Sequence, residues 1–129
     1  MNRARVLLWI AIFILVIAIM IKKHADWLTY DQLKQLWIDA GGDPAAADIA
    51  AAIAMGESSG NPKAFNGVDP AGGSRGLWQI NGVWGELSSF DPSVNVRAAI
   101  QISANGKNWR PWGAFTNGSY LKYLKTAEA

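Results

Sequence analysis

No cysteine occurs among the 129 residues, and there is a single histidine, His24. The first absence excludes a disulfide framework, thiolate metal sites and a thiol nucleophile. The second excludes any centre that needs two imidazoles. Charge is sparse as well: 17% of residues are Asp, Glu, Lys or Arg, and the formal net is +2. Internal repeats and low-complexity tails are missing, and the length suits one domain rather than several.

What is present begins with a long apolar run. Residues 6–21 read VLLWIAIFILVIAIMI, sixteen positions without a charge, with Arg3 and Arg5 before them and Lys22 and Lys23 after. As a helix this run is about 24 Å long, short of a hydrocarbon core of about 30 Å. The flanking cations can snorkel outward and make up the difference. A buried helix of a small soluble domain would need a polar face, which this run lacks. A cleaved signal peptide would need small residues at its cleavage site, and IKKHADW offers none. The expectation is an uncleaved transmembrane anchor over residues 1–23, in contact with lipid through residues 6–21. Basic residues stand at both ends, so charge leaves its orientation open. His24 is expected to be exposed at the interface.

The anchor accounts for the positive excess. It takes four basic residues and no acid, so of the chain's 12 basic and 10 acidic residues, residues 24–129 keep 8 and 10, a net of −2. The remaining domain is no basic nucleic-acid binder, and no nucleic-acid partner is expected.

Within that domain the expected fold is mostly α, with a short β element as an open choice. Thr29 and Gln32 form a capping box, followed by Leu33, Leu36, Trp37 and Ala40 at helical spacing until Gly41 and Gly42. Asp43 caps a second helix over roughly 44–57, with Pro44 in its first turn. Residues 58–76 are turn-forming throughout, too long a stretch for an idle connection. LWQI (77–80) reads either as a short strand or as a turn of helix. A third helix is expected over about 92–105, opened by Asp91 and Pro92 and closed by Asn105 and Gly106, and a final short one over 118–125.

Glu57 is the candidate catalytic residue. Ile49, Ile53 and Glu57 recur at i, i+4 and i+8, which puts the carboxyl on the face of two core aliphatics at a helix C-terminus. Desolvation and the negative end of the helix dipole both favour the protonated form, as a general acid requires. Taken alone, the same glutamate could simply end a helix and point to water. Its surroundings decide the matter: ESSGNP (57–62), then SRGLWQIN (74–81), then DPSVNVRAA (91–99), then NGKNWRPW (105–112).

These four segments, in this order, resemble the lysozyme-like lytic transglycosylases of the soluble-type transglycosylase and goose-type lysozyme group. The likeness is greatest to small phage and actinobacterial versions and covers about residues 30–124. It implies an α+β lysozyme-like fold and cleavage of peptidoglycan between N-acetylmuramic acid and N-acetylglucosamine. By position, Glu57 matches the acid that protonates the leaving glycosidic oxygen and then acts as base on the sugar's 6-hydroxyl. Ser58 matches the residue that hydrogen-bonds near it. Gln79, with Asn81 after it, matches the glutamine lining the sugar cleft. Trp78 stands where many relatives carry Met, as a larger cleft wall. The group's third motif is not plainly present; Tyr120 or Tyr123 could supply its tyrosine, against core packing as the simpler role.

A second carboxylate would bear on mechanism. Asp91 reads as a helix cap, Asp69 as a turn former and Glu86 as a surface residue, so none is assigned one. No calcium-loop spacing appears, and neither metal nor cofactor is expected. Apart from Trp78, the tryptophans of the domain (27, 37, 84, 109 and 112) are expected in the core. The combined expectation is a membrane-anchored lytic transglycosylase with its C-terminal domain extracytoplasmic. It would open the wall locally for phage DNA entry or envelope assembly, with virion or envelope proteins as candidate partners. The alternatives are a lysozyme-type hydrolase of the same fold, a non-catalytic glycan-binding or structural virion membrane protein, or a holin-like protein.

Overall fold

The computed structural model describes residues 2–24 and 26–125, without the side chains of 18–24. The apolar run forms helix α1 (Arg3–His24), 22 residues long, whose large side chains as far as Ile17 stand free; Trp9 is 65% exposed and Phe13 66%. Among the described residues, no helix is long and apolar enough to cross a membrane. The side chain of His24 lies outside the described residues.

Helix α2 (Tyr30–Asp39) begins where the capping box sets it. Thr29 Oγ1 accepts from the Gln32 N–H, and the Gln32 side chain accepts from the Thr29 N–H. Leu33 and Trp37 on its inner face are fully buried. The Asp43 carboxylate caps a short 3-10 turn, Pro44–Ala46, which leads directly into α3 (Ala47–Ser58). Five alanines in α3 keep it thin, so α2, helix α5 (Gly113–Thr116) and a 3-10 turn at Ser119–Lys122 all pack against it.

The turn-forming stretch after α3 is a small β lobe. Strands β1 (Phe65–Asn66), β2 (Ser74–Arg75) and β3 (Ile80–Asn81) form one antiparallel sheet in the order β1-β2-β3. Phe65 pairs with Arg75, and Arg75 in turn with Ile80. Of the two options for LWQI the structure takes the strand only at Ile80; residues 77–79 form a turn that is not helical, with Gln79 left-handed at φ 47°. A 3-10 segment, Gly82–Leu87, follows, and then α4 (Pro92–Ile102) with Asp91 accepting from the Ser93 N–H. The Ser93 hydroxyl, and after it that backbone bond, hold the Asp91 carboxyl below its ordinary range. The chain is mostly helical with this one small sheet, as a lysozyme-like α+β fold requires.

Two helices are shorter than their sequence suggests. Helix α4 stops at Ile102 rather than 105, because Ala104 and Asn105 both turn left-handed, at φ 51° and 57°. The expected helix over 118–125 reduces to the 3-10 turn at Ser119–Lys122, with α5 formed just before it.

Asn95 of α4 joins the two lobes. Fully buried, it accepts from the Trp78 N–H at 2.8 Å and donates to the carbonyls of Arg75 and Ser89. The core beneath it is a chain of indoles. Trp37 lies 6.4 Å from Trp78 and 5.5 Å from Trp109, which lies 5.1 Å from Trp112.

Candidate functional site

Glu57 sits in the last turn of α3, half-buried beside the fully buried Ile53. Its Oε1 accepts a 2.9 Å hydrogen bond from the backbone N–H of Ala114, at the start of α5. Gly56 makes this approach possible: a Cβ there would lie 2.9 Å from the Ala114 methyl, closer than such atoms come. Burial pushes the Glu57 carboxyl above its ordinary pKa, the Ala114 N–H pulls it down, and the charge of Asp69 adds to the rise. The carboxyl therefore holds its proton to higher pH than a solvated glutamate, while one oxygen stays fixed in orientation.

Asp69 lies in the loop between β1 and β2, among turn residues as its sequence suggests. That loop is fastened. Asn81 Nδ2 donates to the Pro70 carbonyl at 2.7 Å, and the Gly82 N–H donates to that of Gly73 at 2.8 Å. The arrangement brings a second carboxylate into electrostatic reach of Glu57, which sequence spacing gave no reason to expect. Glu86 is exposed, and Asp91 is occupied as a cap.

The remaining predicted site residues divide between cleft and core. Gln79 is half-buried with φ 47°, and its amide nitrogen donates to the carbonyls of Ala64 and Gly76 at 3.0 Å each. Together with Asn81, Trp84, Ile102, Pro111 and Trp112 it lines a groove of about 70 Å³. Pro111 and Trp112 lead into α5, whose Ala114 holds Glu57. Asn81 caps the following 3-10 segment through the Val83 N–H while its amide holds the hairpin loop. Its position is on the groove wall, but its hydrogen bonds are structural.

Trp78 is no cleft wall. It is fully buried, with its indole N–H given to the Ala50 carbonyl at 3.0 Å. The aromatic face at the groove belongs instead to Trp84, expected in the core but 43% exposed. Ser58 also turns inward: its hydroxyl donates to the Ala54 carbonyl and accepts from the Gly60 N–H, which terminates α3. Tyr120 is half-buried against Phe115, with ring centroids 5.3 Å apart, and its backbone passes beside Gly56. It stands next to the site on the neighbouring turn.

A family model described as a lysozyme-like domain matches residues 34–114 of this chain. No curated protein matches. No solved structure matches either.

Proposed function

From the premise that the chain belongs to the lysozyme-like domain family, we propose that it is a membrane-anchored lytic transglycosylase of peptidoglycan. The observation that carries this reading is the Glu57 carboxyl, half-buried, pushed toward its protonated form and oriented by the Ala114 N–H. Such a group gives its proton to the glycosidic oxygen as the bond to the muramic acid C1 breaks. The resulting carboxylate takes the proton of that sugar's 6-hydroxyl as its oxygen closes on C1. The products are a 1,6-anhydro end and a free 4-hydroxyl, and Glu57 ends the cycle protonated. Gln79 and Trp84 line the groove beside Pro111 and Trp112, the residues that lead into α5, and hold the glycan. Residues 6–21 lie in the bilayer with the C-terminal domain on the wall side. Virion or envelope-complex proteins are its partners there, and the outcome is local opening of the wall, for phage DNA entry or envelope assembly.

Asp69 supports a second reading. A carboxylate within electrostatic reach of the acid suits a lysozyme-type hydrolysis, in which water rather than the 6-hydroxyl attacks C1. Digestion of purified peptidoglycan by the full chain in detergent, with mass analysis of the fragments, separates the two. Anhydro ends are the expected result, and reducing ends would establish the hydrolase. If wild type and Glu57→Gln both release nothing, the enzymatic reading fails. Protection of residues 26–125 from protease added to spheroplasts would overturn the proposed orientation.

A further inference from the structure

The segment that leaves the first helix is fastened to the end of the helix that carries Glu57. The Leu28 N–H donates to the Gly60 carbonyl at 2.8 Å. The two backbones are so close that a Cβ on Gly60, at φ +83°, would meet the Leu28 carbonyl oxygen at 2.0 Å. No other residue fits there. Leu28 packs on the core, and Thr29 begins the capping box of α2, so the chain is fixed from Leu28 onward.

Only residues 25–27 lie between the end of α1 at His24 and this fixed point. Fully extended, the path from His24 to Leu28 covers at most about 14 Å. Gly60 is three residues beyond Glu57, so the glutamate backbone lies no more than about 11 Å further. Covalent geometry thus keeps Glu57 within about 30 Å of the last residue of the helix, roughly the thickness of a hydrocarbon core.

We propose that this short, glycine-locked tether confines cleavage to the layer of glycan next to the protein's own membrane. The inference rests on the reading of α1 as anchor and Glu57 as acid. Wall strands further out are beyond reach, whatever the affinity of the groove. The end of α3 is thereby turned toward the membrane, and the substrate is the membrane-proximal strand.

A linker insertion tests this on the full chain. Twenty Gly/Ser residues between His24 and Ala25 add a root-mean-square reach of about 25 Å. Wild type and the insertion variant are reconstituted into phosphatidylethanolamine–phosphatidylglycerol vesicles, and soluble fragments released from suspended sacculi are measured. Both are also assayed in detergent. The expected result is several-fold faster release by the insertion variant on vesicles and equal rates in detergent. Equal rates on vesicles would overturn the proposal, since reach would then not be limiting. Absence of release by either protein in detergent would overturn the reading of Glu57. Failure of the chain to float with the vesicles would instead overturn the anchor.

Discussion

Helices α1 and α3 are both apolar around most of their circumference, yet they meet opposite surroundings. In α3, residues 50–54 are fully buried, while in α1 Leu7, Trp9, Phe13 and Ile14 are each more than 60% exposed. Side-chain size accounts for the difference. The alanines of α3 let neighbouring backbones approach from several sides, so a domain of modest size can enclose it. The Leu, Ile, Phe and Trp side chains of α1 would need a far larger shell, and no described residues enclose them. Apolarity alone therefore does not place a helix in the core; the size of its side chains decides whether neighbours can enclose it. The two also differ chemically: α1 carries no carboxylate, and α3 carries one near each end, Asp48 and Glu57.

The largest expected effect comes from the second of these. Glu57→Gln keeps an acceptor for the Ala114 N–H but has no proton to give. Glycan cleavage should fall by about 10²–10⁴-fold. The same substitution should alter the pH dependence of stability. Because the folded-state pKa of Glu57 is raised, its contribution is complete below the unfolded carboxyl pKa and is lost as pH rises through the folded value. The variant lacks that loss, so relative to wild type its urea midpoint should rise between acid and neutral pH. A variant with full cleavage activity would move the chemistry off α3.

Next in size is Ala51→Leu, which adds bulk where α3 is fully enclosed. Overpacking of this kind costs about 1–3 kcal/mol, to be read from urea unfolding followed by tryptophan fluorescence. If the variant is as stable as wild type, the packing account of the two helices is wrong.

How far such sites could be read from sequence depends on whether their causes are local. The capping box at Thr29, the caps at Asp43 and Asp91, and the position of Glu57 on an apolar helix face were legible, because each needs only neighbours within a turn or two. Trp78 was not, because its burial is decided by the Ala50 carbonyl and by Asn95, 28 and 17 residues away in the chain. Helix α5 was missed because four residues carry no period, and with it the Ala114 N–H that orients Glu57. The role of Asp69 depended on where a hairpin loop came to rest, which Asn81 fixes across eleven residues.

Asp69→Asn should have a smaller effect, confined to pH dependence. The Asp69 charge helps to keep Glu57 protonated, and a general acid loses activity as pH rises through its pKa. Removing the charge lowers the Glu57 pKa, so the alkaline limb of the kcat/KM profile should move to lower pH. A limb that stays in place would mean the charge is screened. If the rate collapses at every pH instead, Asp69 takes part in the chemistry, and the hydrolase reading gains.

The smallest expected effect is at Leu8 in α1. It is 60% exposed, so Leu8→Ala removes atoms that pack little against protein and leaves no cavity. In detergent the unfolding free energy of the domain should change by less than about 0.5 kcal/mol, against the far larger cost of added bulk in α3. The measurement bears directly on the comparison of the two helices. A loss above about 1 kcal/mol, of the size expected for a buried leucine, would mean that α1 folds back onto the domain. Its bulky side chains would then have found protein after all, and size would no longer explain why one apolar helix is enclosed and the other is not.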